Sequence, residues 1–316
     1  MSEFDWIARY FAPLAAPEGL GLTDDVALMT PTAGKQLVLT TDAMTAGIHF
    51  FADDAPASIA QKLLRVNLSD LAAKGAVPRG YLLSLLMPSN VSEEWIEGFV
   101  TGLLSDQTRY GCHLYGGDTS RIDGPLTASI TAIGEVSHGE ILRRNGAQIG
   151  DMLYMTGGVG NAALGLKIRE GKLEENEYLL DRYLHPTPQL EVGQKLIGIA
   201  TSCMDISDGL VQDAGHLAKA SGVAITLNTS QLTLSREARD ILNRDDAYFP
   251  LMLTGGDDYE LLFTAPLDAQ DRLISLSEQT EVTITAIGAV TTGEGVTVLD
   301  KAGQTMSFEK AGWQHF

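Results

Sequence analysis

Acidic residues in this chain repeatedly sit at the ends of apolar segments beside glycine, serine or threonine, instead of along exposed faces. Thr23-Asp24-Asp25 precedes an apolar run, and Thr40-Thr41-Asp42 closes a β-branched segment. Asn67-Leu68-Ser69-Asp70 lies within a helical pattern, Gly116-Gly117-Asp118-Thr119 follows a strand, and Asp205-Ile206-Ser207-Asp208-Gly209 opens a helix. A carboxylate so placed loses solvation, which is costly unless a cation or hydrogen bonds compensate. A hard cation is the natural compensation. Mg2+ takes oxygen ligands, is held by one or two carboxylates plus water, and completes its shell with substrate phosphates. Brought together, these stretches would form a polymetal phosphate site.

Each stretch alone has an ordinary reading as well. Asp24-Asp25 suits a turn, Asp70 a polar helix position, and Asp205 or Asp208 a helix cap favoured by the dipole. Gly116-Gly117 suits a tight turn, although glycine before an acidic residue also lets a phosphate approach the backbone. Arg143-Arg144 suits a solvated pair, but arginine is also the donor matched to a triphosphate. His49 follows Asp42 by seven residues and is the one histidine expected near the site. His113, His138, His185, His216 and His315 are expected at surface or packing positions.

Several chemistries are excluded. No GxxxxGK[ST] occurs, because Gly165 and Gly171-Lys172 have the wrong spacing and Leu173 follows the lysine. Gly158-Val159-Gly160 lacks the third glycine of a dinucleotide fingerprint, and neither protein-kinase motifs nor a GxSxG elbow is present. The formal charge of −19 would repel nucleic acid and anionic membranes, which need a positive partner. Cys112 and Cys203 form no metal knuckle or redox pair, and no apolar run has the length of a membrane span. A cytoplasmic protein is expected.

The 316 residues suit two domains. Helical spacing of Phe4, Ile7, Ala8 and Phe11 predicts a helix over 2–13, and residues 37–41 predict a strand running out into Asp42. A helix over 56–74 stopped by Gly75, a strand over 82–86, a helix over 91–109 capped by Asn90 with Glu93, and a strand over 126–136 follow. A break at Gly146–Asp151 separates these from a second mixed half. That half should carry strands near 152–156, 223–227, 259–265 and 282–289, and helices near 159–171, 188–200 and 207–220.

Taken in order, the motifs resemble a known family. Glu3-Phe4 with Ile7–Phe11, Asp24-Asp25, Thr40-Thr41-Asp42 with Gly47 and His49-Phe50, and Val66–Ala73 with Gly75-Ala76 are similar to those of the thiamine-monophosphate kinase family. So are Gly116–Thr119, Arg144–Ala147 with Gly150-Asp151, Asp205–Leu210, Gly255–Leu261 and Gly312–Phe316. The resemblance implies a mixed α/β protein of the aminoimidazole ribonucleotide synthetase-like superfamily. Residues 1–146 would form an N-terminal ATP- and metal-binding domain whose sheets pair into a barrel in a homodimer. Residues 147–316 would form a C-terminal α/β domain completing the active site. The implied reaction is phosphorylation of thiamine monophosphate by ATP with several Mg2+ ions, in a protein that binds neither nucleic acid nor membrane.

The resemblance also implies roles. Asp25, Thr40, Thr41, Asp42, Asp70, Asp118, Asp205 and Asp208 would hold metal, with Asp70, Asp205 and Asp208 central to catalysis. Tyr110, Gly117, Asp118, Arg144 and Ser207 would contact ATP, and His49, Asp257 and Trp313 the acceptor. Asp257 departs from the glutamate usual in the family's Gly-Gly-Glu-Asp turn and is one methylene shorter. Selenophosphate synthetase, hydrogenase-maturation and purine-ligase relatives are disfavoured, since no reactive N-terminal Cys-Lys, cysteine-ended tail or glutaminase-like length is found, and the alternative of a non-catalytic acidic metal- or nucleotide-binding module would need neither Arg144 nor the acceptor turn.

Overall fold

The computed structural model of the chain describes residues 3–313, without the side chains of Glu3 and Phe4. The expected helix start at residue 2, His315 and the last part of the closing motif lie outside the described residues. Two compact units are formed, one by Met1–Leu71 with Ala76–Gly139 and the other by Ala72–Gly75 with Glu140–Phe316.

In the first unit the chain opens helically but not as one α-helix. A single turn, α1 (Glu3–Trp6), widens to π geometry over Ile7–Phe11 and tightens to a 3-10 turn over Ala12–Leu14, where Pro13 ends regular hydrogen bonding. Strand β1 (Lys35–Thr45), helix α2 (Pro56–Ala73), strand β2 (Val77–Pro88), helix α3 (Glu93–Tyr110), and strands β3 (His113–Ile122) and β4 (Thr127–Ser137) follow. The four strands make one sheet in the order β1-β4-β2-β3, antiparallel except for the β2–β3 pair. Asp42 therefore lies within β1 and does not end it. The cap of α3 also differs from the expected box. Ser92 immediately precedes the first helical residue, so its hydroxyl accepts the Trp95 N–H at 3.1 Å, whereas Asn90 is two residues too far out.

β3 is the element whose sequence misleads. Gly116-Gly117-Asp118 lies inside it, paired with Leu82-Leu83-Ser84 of β2, and is not a turn. A Cβ on Gly117 would meet the Leu83 carbonyl oxygen at 1.8 Å, so the two backbones approach this closely only without a side chain.

The second unit is built on strands β5 (Met152–Thr156), β6 (Ser202–Asp205), β7 (Ala224–Asn228), β8 (Leu261–Ala265), β9 (Ile284–Thr291) and β10 (Gly295–Leu299). They form a sheet in the order β10-β7-β9-β5-β8-β6, antiparallel except for β10 with β7. Its helices are α4 (Asn161–Arg169), α5 (Glu177–Leu184), α6 (Leu190–Lys195), α7 (Leu210–Ser221), α8 (Arg236–Arg244), α9 (Phe249–Thr254) and α10 (Gln270–Thr280). Strand alternation sends Leu153, Met155, Met204 and Leu262 to one face, where Leu210 and Leu217 of α7 bury them. Tyr154, Cys203, Leu261 and Phe263 go to the other, under Val192 of α6 and Leu273 and Leu276 of α10. β5, β6 and β8 are buried on both faces, so they are short and carry almost no exposed position, which explains why β6 shows no alternating pattern.

Candidate active site

The first unit gathers a compact acidic cluster. Alternation along β1 turns Thr40 and Asp42 to one face, where α2 presents Asn67 and Asp70 three residues apart. The Thr40 hydroxyl donates to Asp70, and the Asp42 N–H donates to Asn67 Oδ1 at 3.0 Å. Asn67 is fully buried and its amide also donates to the Leu63 carbonyl at 2.9 Å, so it fixes α2 against β1. Burial, and then the neighbouring Asp70 carboxylate, push the carboxyl of Asp42 up to about 6. Two carboxylates held this way with a hydroxyl make an all-oxygen donor set matched to a hard divalent cation.

Other expected residues of this unit stand apart from that pair. Thr41 points to the opposite face, where its hydroxyl donates to the Ile130 carbonyl at 3.1 Å and accepts from Thr131 at 3.2 Å. Asp118 is exposed on β3, separated from β1 by β4 and β2, and its carboxylate accepts the Ser120 hydroxyl at 3.1 Å. Asp25 lies in an exposed loop and its N–H bonds to Asp24. His49 folds back on the end of β1, its Nδ1 accepting the Thr45 N–H at 3.0 Å, which leaves the proton of the neutral ring on Nε2. Tyr110 ends α3 with the Arg109 and Arg65 guanidinium groups over its ring, 5.2 and 5.8 Å from the centroid. Arg65 is itself fixed by two bonds, 2.6 and 2.8 Å, to buried Asp106.

In the second unit, Asp205 is the last residue of β6 and is buried, while Asp208 lies in the loop before α7. The two are thus divided between a strand end and a loop and do not share a helix start. That loop is held from below. Asp213 of α7 accepts the N–H groups of Ser207, Asp208 and Gly209 on one carboxylate oxygen, at 3.0, 3.0 and 3.2 Å. Burial pushes its carboxyl up to about 8, helped by the charges of Asp205 and Asp208 and opposed by those N–H bonds. One oxygen each of Asp208 and Asp213 and a ring nitrogen of His216 lie within 4.8 Å of one another.

The Gly-Gly-Asp turn and the C-terminal aromatic meet the same loop. Asp257 N–H bonds to the Ser207 carbonyl at 2.9 Å, Tyr259 N–H to that of Ile206 at 2.8 Å, and Trp313 N–H to that of Asp208 at 3.0 Å. A Cβ on Gly256 would meet Ser207 O at 2.2 Å, which accounts for glycine there. Asp257 has φ +71°, a left-handed conformation that aspartate tolerates better than most residues, and its carboxylate accepts the Tyr259 hydroxyl at 3.3 Å. Asp258 points the other way and accepts the N–H groups of Gly160 and Ala162 at the start of α4, at 2.6 and 3.3 Å. Arg144 is exposed in the segment before β5, with its carbonyl accepting the Ser221 hydroxyl at 3.4 Å. Ser207, Asp208, Asp257 and Trp313 are thus one hydrogen-bonded group. Asp213 and Gln212 are marked in the sequence only as polar residues within an apolar helical pattern, and Asn67 appears there as part of an acidic stretch, without its role of fixing α2 against β1.

Residues 23–136 match the model of AIR synthase related protein, N-terminal domain, and residues 148–301 that of its C-terminal domain, which makes this a two-domain AIR synthase-related protein. Thiamine-monophosphate kinase of Salmonella typhimurium is 38% identical over 326 residues, covering 99% of this chain and 98% of its own. The crystal structure of thiamine-monophosphate kinase from Stenotrophomonas maltophilia K279a superposes with a TM-score of 0.86 at 40% identity, covering 97% of this chain and 98% of that one. AaThiL complexed with AMPPCP and TMP superposes with a TM-score of 0.79 at 34% identity, covering 93% and 91%. The chain belongs to the thiamine-monophosphate kinase family.

Proposed function

We propose that this protein transfers the γ-phosphoryl group of ATP directly onto the phosphate of thiamine monophosphate, giving thiamine diphosphate and ADP. The observation that carries the proposal is the likeness along almost the whole chain to thiamine-monophosphate kinases, one of them solved with AMPPCP and TMP. A phosphate oxygen of the acceptor bonds to the γ-phosphorus, and the bond to the β-phosphate bridging oxygen breaks with its electron pair leaving on ADP. The acceptor phosphate has a second pKa near 6, so the attacking oxygen is already largely ionised at neutral pH. No general base is required, and the work falls on positioning and charge.

The oxygen donors fit Mg2+, which when bound would neutralise the mutual repulsion of the two phosphates. We assign Thr40, Asp42 and Asp70, gathered at one face of β1, and Asp205 and Asp208 to it, with Asp70, Asp205 and Asp208 closest to the chemistry; Asp25, Thr41 and Asp118, which stand apart from that cluster, are assigned to further ions on the family resemblance alone. Tyr110, Gly117, Asp118, Arg144 and Ser207 hold ATP, and His49, Asp257 and Trp313 hold the acceptor. Residues 1–146 thereby bind nucleotide and metal, and residues 147–316 complete the machinery. The fixed loop carrying Ser207 and Asp208 supports these roles, because Asp213 holds its backbone and so orients both side chains. The net charge of −19 keeps polyanions away, and the protein acts in the cytoplasm, where ATP is supplied. No helix among the described residues is long and apolar enough to cross a membrane.

Incubation with ATP, Mg2+ and thiamine monophosphate, free thiamine or a nucleoside monophosphate, with products separated and identified, tests the proposal. Thiamine diphosphate is expected from thiamine monophosphate only. Free thiamine offers a neutral hydroxyl that needs a base and lacks the phosphate that orients the acceptor. Faster turnover on free thiamine would refute the assignment.

The sheet of the first unit carries exposed Leu37, Leu39 and Leu82 on one face, with Leu39 62% exposed. These exposed leucines, set among Thr41, Ser84 and Thr131 on the same face, are the apolar contacts that we assign to a homodimer. Leu39→Asp with Leu82→Asp should convert a dimer into a monomer in sedimentation at micromolar concentration. A wild-type protein that sediments as a fully active monomer would rule the dimer out.

A further inference from the structure

Gln212 lies on the first turn of α7 and belongs to no assigned site. Its amide donates to Asp208 Oδ2 at 3.0 Å and to the carbonyl of Trp313 at 2.8 Å. The Trp313 N–H returns a bond to the Asp208 carbonyl at 3.0 Å. Three hydrogen bonds therefore close a ring through Asp208, Gln212 and Trp313, tying a carboxylate to an aromatic residue a hundred positions later in the chain. Glycine at 312 is part of the device. A Cβ there would meet Gln212 Cβ at 2.5 Å and Asp208 O at 2.6 Å, so only glycine lets the C-terminal segment lie this close to the loop. The Trp313 side chain stays 52% exposed while its backbone is fixed, which suits a ring presented to a ligand more than one packed for stability.

We propose that Gln212 is a positioning residue that couples the acceptor-binding Trp313 to the carboxylate of Asp208. The inference rests on the reading of Trp313 and Asp208 given above. Glutamine can do this because both donors of one amide are used: one fixes the Asp208 rotamer and leaves its other oxygen directed elsewhere, and the other holds the segment bearing the indole. Leucine has a similar shape and no donor, and glutamate would place a negative charge against Asp208.

Gln212→Leu should raise KM for thiamine monophosphate about fivefold, the loss of the one neutral hydrogen bond that holds the Trp313 carbonyl, and leave KM for ATP unchanged. Gln212→Glu should additionally lower kcat, because its carboxylate repels Asp208. Gly312→Ala, which displaces the same segment from the other side, should reproduce the leucine effect. In a Trp313→Ala background the KM effect of Gln212→Leu should disappear, since both changes act on one contact. A purely structural role would instead shift both KM values and the melting temperature together. The latch also has a readout independent of turnover. With Trp6 and Trp95 replaced by Phe, Gln212→Leu should increase acrylamide quenching of Trp313. Unchanged quenching and unchanged acceptor KM would overturn the coupling, whereas increased quenching in a protein inactive on thiamine monophosphate would leave the latch standing and sink the functional assignment instead.

Discussion

Asp208→Asn and Asp205→Asn should each lower turnover by about a thousandfold or more at saturating ATP and Mg2+, while the protein stays folded. The scale is that of removing one charge-stabilising group from a preorganised site. Folding is spared for structural reasons. The N–H and carbonyl of Asp208 bond to Asp213 and Trp313 through the backbone, and asparagine keeps an oxygen for the Gln212 amide. Both substitutions also remove a negative charge from beside buried Asp213, whose carboxyl those charges push up. A slight rise in stability is the expected sign. Steady-state kinetics with thermal unfolding checks both halves, and near-normal turnover of both variants at saturating Mg2+ would remove these residues from the machinery.

The second large effect is on stability and belongs to Asp42. Its carboxyl moves from an ordinary 3.8 to about 6 on folding, through burial and then the charge of Asp70. Between these values the folded chain binds more protons than the unfolded one, so stability falls as pH rises from about 4 to about 6 and stays lowered above that. In chelator-treated protein at pH 7.5 the penalty is about 2 kcal/mol, discounted for the partial exposure of the site. Asp42→Asn should therefore be more stable than wild type by about that amount at pH 7.5 in chelator, and equal to it near pH 4. Millimolar Mg2+ should reverse the order, raising wild-type stability by mass action and doing little for the variant. Urea unfolding at the two pH values, with and without Mg2+, gives all four comparisons. Parallel pH profiles for the two proteins would mean that Asp42 carries no such charge penalty.

The same carboxylates show how much of the site can be read without coordinates. Asp42 and Asp70 stood out as acidic residues beside threonine or serine next to apolar segments, although Asp42 read as the end of a strand it lies within; β1 and α2 could be placed from β-branched and helical patterns. Gly116–Asp118 was not legible as strand, because two glycines ordinarily weaken one; their place in β3 follows from a backbone approach to Leu83 that no local pattern records. The split of Asp205 and Asp208 between β6 and a loop was hidden for a related reason. A four-residue strand buried on both faces has no alternation, so Asp205 reads as the start of the helix beyond it. The face on which Thr41 points depends on the register of β1 with β4, and register is a property of two strands. Asn67, Gln212 and Asp213 look like ordinary helix residues until the loop or strand they hold is beside them.

Asp257, where the resemblance leads one to expect glutamate, sits in a backbone conformation that suits a short acid. Its left-handed backbone favours a short side chain able to bond locally, and the carboxylate does accept the Tyr259 hydroxyl. The shorter acid is thus compatible with the turn that carries it.

Direct transfer between two bound phosphates is the central claim, and it is tested most directly by the fate of the γ-phosphate in a single turnover. Protein in excess over γ-labelled ATP is mixed with thiamine monophosphate and Mg2+, quenched, and the products separated. The label is expected in the terminal phosphate of thiamine diphosphate in step with ADP formation, with no labelled protein at any time. Label released only as inorganic phosphate, or trapped first on the protein, would contradict it.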